Sequence, residues 1–528
     1  MIEMDEMKGR GKRGLLRVVF GRTMFFLLFI ALQLAFFFWI YVWLDNKYQA
    51  WGYGSFALIS AILTIHILNE KQNASFKMAW LIPVLLFPVF GTLFYVFVQL
   101  QMETKIFAKR IAEVQKRTDH FLEQDTAVYE RLSRRSRRNA NLSLYMKKSG
   151  GYPTWDRTNF KYFPLGDEFY TDVLQELQKA RRYIFVEYFI ISKGILWDSI
   201  LKILEQKAKE GVEVRILYDG MNSFSNLPHD YPKELEAKGI RCRIFNPIRP
   251  AISTSQNNRD HRKILVIDGH TAYTGGVNLA DEYINRKVRF GHWKDNAIRL
   301  KGEAVRNFTV MFLQMWDVCS KKPDSDFDYS PYLDTGDYFH SPELDMDGFS
   351  IPFSDSPIDG EPVGHQLYLD IIYQAKKYVY IMTPYLVLDD DMITALTYAA
   401  KRGVDTVIIM PHIPDKKSAF MLAHSYYTEL IEAGVKIYEY LPGFVHSKTF
   451  VSDGEKAVVG SVNMDFRSLY LHFENAVFTY NRELAGKVKA DMLNNFEISN
   501  EVTSDYAVDV IRPLKLGTCM LHMISPLL

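Results

Sequence analysis

The stretch HRKILVIDGHTAYTGGVN, residues 261–278, returns in outline as HSKTFVSDGEKAVVGSVN, residues 446–463. Laid over each other, they put His on His, Lys on Lys, Asp on Asp and Asn on Asn. The offset is 185 residues at every match: His261/His446, Lys263/Lys448, Asp268/Asp453, Gly275/Gly460 and Asn278/Asn463. A lone His-x-Lys is common and means little. Two full copies at one offset, each carrying a small-residue pair and an Asn, mark an internal repeat.

The repeat extends outward. ARRYIFVEYFIIS (180–192) and AKKYVYIMTPYLV (375–387) are rich in β-branched and aromatic residues and read as buried strands. LWDSILKILEQKAKEG and MITALTYAAKRG follow as helices, then VEVRILYD and VDTVIIM as strands. YPKELEAKG and YYTELIEAG read as short helices, RCRIFNP and KIYEYLP as strands, and the two His-x-Lys stretches as the last strands. The first half has about ten extra residues before its His, in PAISTSQNNRD. Alternating strands and helices in one order, twice, predict two α/β domains of the same fold, at 151–335 and 336–528. Two such halves are expected to pack about a pseudo-twofold axis, with one composite site between them.

Side chains two apart on a strand point the same way, so His261 and Lys263 are expected on one strand face, as are His446 and Lys448. Asp268 and Asp453 fall in the turn after the strand. Gly275-Gly276 and Gly460-Ser461 offer open backbone to an anion, and Asn278 and Asn463 offer an amide donor. Two imidazoles, two ammonium groups and two amides suit a phosphate diester. Lysines and donors hold the non-bridging oxygens, one imidazole attacks phosphorus and the other protonates the leaving alcohol. Each imidazole needs a partner that fixes its tautomer. KDNAI (Asp295) and FENAV (Glu474) recur after the two motifs and are predicted to supply it. Lys at i+2 opposes a bound cation, so no metal is expected. His229, His412 and His424 read as surface or structural residues.

The N-terminal part has a different character. MFFLLFIALQLAFFFWIYVWL (24–44), WGYGSFALISAILTIHIL (51–68) and MAWLIPVLLFPVFGTLFYVFVQL (78–100) are apolar runs. A bilayer-spanning helix needs about 20 apolar residues, and three successive runs do not fit a cleaved signal peptide. Residues 24–100 are therefore expected to be a multi-pass membrane region, with the middle run the weakest. The basic segment 1–23 argues for a cytoplasmic N-terminus, and Lys105, Lys109, Arg110, Lys116 and Arg117 argue for cytoplasmic catalytic domains. Two cytoplasmic ends require an even number of spans, whereas three runs are present. Residues 101–150, with the basic block RLSRRSRR from Arg131, read as a charged amphipathic linker, either resting on anionic headgroups or solvated.

Composition narrows the rest. The chain has 528 residues, too long for one ordinary core. Lys+Arg is 63 and Asp+Glu 62, so net charge says nothing about an anionic partner; nucleic acid is not expected, because a soluble endonuclease would need no apolar anchors. Cys242, Cys319 and Cys519 are far apart and odd in number, which excludes a disulfide framework or a C-x-x-C metal knuckle.

The pattern H-x-K-x4-D-x6-G-[GS]-x-N, present twice without departure, resembles the phospholipase D superfamily. AWLIPVLLFPVFGTLFYVF, HRKILVIDGHTAYTGGVNLADEY and the ending SPLL are similar to the bacterial cardiolipin synthases within it. The resemblance implies tandem phospholipase D-like α/β sandwich domains, a phosphohistidine intermediate and no cofactor. It implies phosphatidyl transfer between two phosphatidylglycerol molecules, with His261 as nucleophile and His446 as acid and then base. The near symmetry of the two halves leaves the reverse assignment open. Lys263, Lys448, Asp268 and Asp453 complete the two motifs. The alternatives are a phospholipase D hydrolase, a phosphatidylserine synthase, and an inactive membrane scaffold. The metal-dependent synthase chemistry with a D-G-x-x-A-R core is excluded, because DGHTAY and DGEKAV lack that Arg. Phospholipid and the membrane are the expected partners, and no protein partner is implied.

Overall fold

The computed structural model describes residues 31, 33–36, 38, 41–42, 46–99, 102–222, 226–247, 257–320, 328–336, 348–511, 521–522 and 525. The chain forms two compact units that divide between Met102 and Glu103. The basic segment 1–23 and most of the first apolar run lie outside the described residues.

From residue 46 on, the described part of the N-terminal unit forms helices α1 (Asn46–Asn69), α2 (Ala74–Leu86) and α3 (Pro88–Gln99). The run at 78–100, expected as one span, is two helices. Pro88 disfavours helical backbone at Phe87, which sits at φ −128° and ψ 70° and closes α2 by donating its N–H to the Pro83 carbonyl (2.9 Å). The chain then folds back. Trp80 on α2 packs on Phe94 and Tyr95 of α3 at 5.6 and 5.4 Å between ring centroids. Gly91 permits the approach, since a Cβ there would lie 2.1 Å from the Pro83 oxygen. Helices of 13 and 12 residues are about 20 Å long, against a hydrocarbon layer of about 30 Å. α1 has the length, but Ser55, Ser60, Thr64 and His66 interrupt its apolar run. Among the described residues, no helix is long and apolar enough to cross a membrane.

The second unit opens with α4 (Met102–Thr118), α5 (Thr126–Arg135) and α6 (Arg137–Lys148). This segment is not the linker its charge suggested. Val128, Leu132, Ala140, Leu142 and Met146 are buried, and Arg117 pairs with Asp317 on the α/β body. The segment's apolar face is covered by this unit's own core rather than by headgroups or solvent.

Two sheets follow. The first has strands β1 (Thr158–Phe163), β2 (Tyr183–Tyr188), β3 (Glu213–Asp219), β4 (Arg241–Phe245), β5 (Lys263–Ile267), β6 (Thr271–Gly275) and β8 (Ala297–Gly302) in the order β1-β8-β6-β5-β2-β3-β4. The second has β9 (Phe349–Asp355), β10 (Tyr378–Met382), β11 (Asp405–Pro411), β12 (Lys436–Tyr440), β14 (Thr449–Ser452), β15 (Lys456–Gly460), β16 (Glu474–Tyr480) and β17 (Ser499–Glu501). Its order is β17-β12-β11-β10-β14-β15-β16-β9, the first sheet's order with one edge strand added. Both therefore share a mixed topology, in which β2-β3-β4 and β10-β11-β12 run parallel and β5 and β14 enter antiparallel. Helices α7 (Gly166–Gln178) and α8 (Ile195–Lys209) serve the first sheet. Its helix Tyr231–Glu236 is short, as expected, but its counterpart α9 (Lys417–Glu432) is not. Two further strands, β7 (His292–Lys294) and β13 (Gly443–Val445), pair in parallel across the halves.

Candidate active site

The two His-x-Lys segments approach their strands from the same relative position. β5 starts at Lys263 and β14 at Thr449, so His261 and His446 precede the strands on which they were expected. The backbone is drawn to the other half instead. His261 N–H donates to the Phe473 carbonyl (2.8 Å) and His446 N–H to the Lys294 carbonyl (2.7 Å). Each lysine folds over its own histidine. Lys263 Nζ donates to the His261 carbonyl at 2.5 Å, and Lys448 Nζ to that of His446.

The predicted orienting carboxylates meet the imidazoles, and they do so across the halves. His261 Nδ1 lies 2.8 and 2.9 Å from the two carboxylate oxygens of Glu474, and His446 Nδ1 lies 2.7 Å from Asp295 Oδ2. Both carboxylates are fully buried. With Nδ1–H donated to a carboxylate, Nε2 of each ring is left with its lone pair. The adjoining asparagines cross as well. Lys263 N–H donates to Asn475 Oδ1 (2.9 Å), Asn475 Nδ2 donates to Thr274 Oγ1 (2.7 Å), and Asn296 Nδ2 donates to Thr449.

Burial dominates the electrostatics. It holds the His446 imidazole down at about 4, with the Lys448 charge adding to the effect and Asp295 opposing it. His261 is held well below the usual histidine range by burial and then by Lys263 and Lys448. Burial also lowers the Lys263 and Lys448 ammonium groups to about 7 and about 8. The site thus presents neutral imidazoles beside two amines easily charged by an anion, and a phosphodiester would raise all four.

The remaining expected residues are placed differently. Asp268 and Asp453 do not join the imidazoles. They sit beyond the far ends of β5 and β14 in left-handed backbone (φ 53° at each). Asp268 accepts the N–H groups of Arg181, Arg182 and Tyr183 at 2.8, 2.8 and 2.9 Å. Asp453 accepts those of Lys376, Lys377 and Tyr378 at 2.8, 2.8 and 3.1 Å. Both brace the start of the adjacent strand. Backbone at the small-residue pairs is also committed: Gly276 N–H donates to Asn296 and Ser461 N–H to Asn475. The glycines serve close packing instead. A Cβ on Gly276 would lie 2.0 Å from Asp295 Oδ1, one on Gly275 2.3 Å from the Asn296 carbonyl, and one on Gly460 2.3 Å from Ala476 Cβ.

Asn278 and Asn463 act one step back from the rings. Asn278 accepts from Ile190 N–H (3.0 Å) and donates to the Tyr283 hydroxyl (2.8 Å), whose ring meets His446 edge-on at 5.2 Å. Asn463 donates to Ser468 Oγ (3.0 Å), which donates to Glu474 Oε1 (2.7 Å). Ser461 Oγ also donates to Glu474.

Sequence reasoning missed Tyr283, Trp293, Phe189 and His472. Trp293 lies 5.5 Å from the His446 ring, Phe189 4.8 Å and His472 5.7 Å from that of His261. HWKDNA and LHFENA each place a His and an aromatic residue just ahead of the carboxylate, a parallel that could have flagged Trp293 and His472. Among the described residues, two groups could hold a metal ion, His261 with His472 and Glu474, and His365 with Asp389 and Asp391. In the first, the flanking Lys263 and Lys448 oppose a cation, and His261 and Glu474 already satisfy each other.

A family model described as "Cardiolipin synthase, PLD-like domain" matches residues 173–316 and 368–495, and one described as "Phospholipase_D-nuclease N-terminal" matches 58–99. A protein of Streptococcus mutans described as uncharacterized is 46% identical over 464 residues, 88% of this chain and 99% of that one. A cardiolipin synthase of Alkalihalophilus pseudofirmus is 34% identical over 496 residues, 91% of this chain and 95% of that one. Another, of Geobacillus kaustophilus, is 34% identical over 481 residues, 90% of this chain and 93% of that one. A solved phosphatidylserine synthase of Haemophilus influenzae covers 70% of this chain and 95% of its own at a TM-score of 0.54 and 14% identity, a likeness of fold.

Proposed function

The chain belongs to the cardiolipin synthase family of phospholipase D-like proteins, and on that premise we propose that it transfers a phosphatidyl group from one phosphatidylglycerol to another. The products are cardiolipin and glycerol. The observation that carries the reading is the exchange of carboxylates: His261 is held by Glu474 and His446 by Asp295, so both halves must be present for either imidazole to be oriented.

In the proposed reaction, the phosphodiester docks between the two His-Lys sets. Its charge draws protons onto Lys263 and Lys448, which then hold the non-bridging oxygens. His261 Nε2 attacks phosphorus, a P–N bond forms, and the P–O bond to glycerol breaks. His446, protonated as the anion arrives, gives its proton to the departing glycerol oxygen. Glu474 steadies the positive charge that develops on His261. The hydroxyl of a second phosphatidylglycerol then attacks phosphorus, His446 takes its proton, and the P–N bond breaks. No step needs an oxidant, a nucleotide or a metal.

Reciprocal contacts support relating the two halves by a pseudo-twofold axis, which sets nucleophile and acid on opposite sides of the phosphorus. The exposed apolar side chains of the N-terminal unit, Leu58, Ile62, Ile65, Leu86 and Leu93 among them, support membrane association for that unit. A lipid-soluble substrate requires the site to work at a bilayer surface.

Product analysis tests the proposal. Full-length protein in phosphatidylglycerol liposomes with chelator is expected to give cardiolipin and free glycerol in equal amounts. Phosphatidic acid without cardiolipin would make water the acceptor and the protein a hydrolase.

A further inference from the structure

Three surface turns meet beside the site, and none of them takes part in the chemistry. The first is Arg286–Phe290, where Val288 is 82% exposed and flanked by Arg286, Lys287 and Arg289. The second is Ile413–Lys417, with Ile413 exposed and Lys416 and Lys417 at its end. The third is Leu441–Pro442, with Leu441 49% exposed. The β7–β13 pair staples them together. His292 N–H donates to the Pro442 carbonyl (2.9 Å) and Ile413 N–H to that of Gly443 (3.4 Å). A Cβ on Gly291 would lie 3.3 Å from Ile413 Cδ1.

This patch leads inward to the chemistry. Phe290 contacts Trp293 (6.3 Å between ring centroids) and Phe444 (6.0 Å), and both of those rings contact His446. Lys416 is near enough for its charge to act on His261. Exposed aliphatic tips among exposed cations are the composition of an interfacial membrane anchor: apolar tips enter the headgroup boundary and the cations meet anionic phosphates. Glu282 answers only Arg289 (3.1 Å), and Asp415 is engaged by the Tyr385 hydroxyl (2.6 Å). Arg286, Lys287 and Lys417 stay exposed.

We infer that the turns carrying Val288, Ile413 and Leu441 form a docking rim by which the catalytic unit itself seats on an anionic phospholipid bilayer. This contact is additional to any made by the N-terminal unit. The inference rests on the proposed function only for its choice of lipid. Docking at this rim sets the mouth of the site against the headgroups, so substrate enters from the bilayer past Phe290 and Trp293.

Two measurements on the full-length protein test it. A Val288→Cys chain carrying a bimane label, with the labelled unsubstituted chain as blank, is reconstituted into bilayers containing brominated phosphatidylglycerol. Quenching of the label at position 288, but not of one placed by Glu210→Cys just past the end of α8, is expected. Arg286→Glu/Lys287→Glu and Val288→Asp chains are then assayed on phosphatidylglycerol in bilayers and on short-chain, monomeric phosphatidylglycerol in solution. Turnover in bilayers should fall about tenfold, and turnover of the soluble lipid should stay within about twofold of the unsubstituted chain. Equal losses on both substrates would overturn the inference by making these residues structural. Unquenched label with undiminished bilayer turnover would overturn it too. If the unsubstituted chain turned over neither lipid, the proposed reaction would fail, and quenching at position 288 would still decide the docking.

Discussion

His261 Nδ1 lies 2.8 Å from Glu474 Oε1, although 213 residues separate them and they belong to different halves of the repeat. The same relationship joins His446 to Asp295, so neither half supplies the carboxylate that orients its own motif histidine. The exchange makes the two halves interdependent, and several measurable consequences follow from it.

The first concerns which imidazole carries the lipid. In His446→Asn the acid-base partner is gone but Glu474 still orients His261. A phosphatidyl group, formed slowly without its acid and removed as slowly without its base, is expected on His261, detectable as an acid-labile covalent adduct by mass spectrometry. An adduct on His446 in the reciprocal His261→Asn protein would reverse the assignment.

Gly276 tests the orienting pair without touching a titratable group. In Gly276→Ala the new Cβ would lie 2.0 Å from Asp295 Oδ1, displacing the carboxylate that holds His446. Turnover should drop by about 100-fold, with the far-ultraviolet circular dichroism unchanged. Full activity would mean that Asp295 can move without consequence.

Asp268 should behave as a structural residue. Its carboxylate accepts three backbone N–H groups at the start of β2, and hydrogen bonds to a charged group contribute roughly 1.5–3 kcal/mol each. Asp268→Ala is expected to lower unfolding stability by about 3 kcal/mol in all. The fraction that remains folded should keep its KM for phosphatidylglycerol. A stable protein with a raised KM would return Asp268 to the site.

Lys263 trades stability for function. Its ammonium is fully buried, and burial lowers it from 10.5 to about 7. The unfolded chain therefore binds more protons between those values, so stability from this group rises with pH across that window and is least at and below neutral pH. Lys263→Met should abolish turnover and raise the melting temperature by a few degrees at pH 7. A lower melting temperature would mean that the buried charge is compensated.

The acid limb of the pH profile should sit low. Burial destabilises the imidazolium of His446, holding it from 6.5 down to about 4. His261, the nucleophile, is likewise held well below the usual histidine range, so the protonation that would block its attack is deferred and kcat/KM should show no acid limb near 6.5. Stability should be lost as pH falls from 6.5 through 4, because the unfolded chain takes up the proton first. A limb centred at 6.5 would show an exposed, ordinary histidine.

Much of this was legible in one dimension. The strands around ARRYIFVEYFIIS and AKKYVYIMTPYLV appear where β-branched and aromatic runs placed them, as β2 and β10. The misreadings share a cause. His261 and Lys263 have strand spacing, but the His261 backbone pairs with Phe473, and that pairing is invisible to local periodicity. Asp268 recurs with the catalytic motif, so co-occurrence suggested chemistry; only position along β5 separates it from the imidazoles. The run at 78–100 has the hydropathy of a span, yet Phe87-Pro88 breaks it and Gly91 lets the halves close. Tyr283 and Trp293 reach His446 through packing and have no pattern of their own.

The sequence by itself determined the repeat, the α/β alternation, both His-Lys sets and the two carboxylates that serve them, because identity and spacing along the chain carry that information. Which carboxylate serves which histidine was decided only by the tertiary structure. Nothing in the spacing distinguishes Asp295 from Glu474 as the partner of His261. The choice follows from how the strand approaches of the two halves pair with each other, a contact between segments more than 150 residues apart.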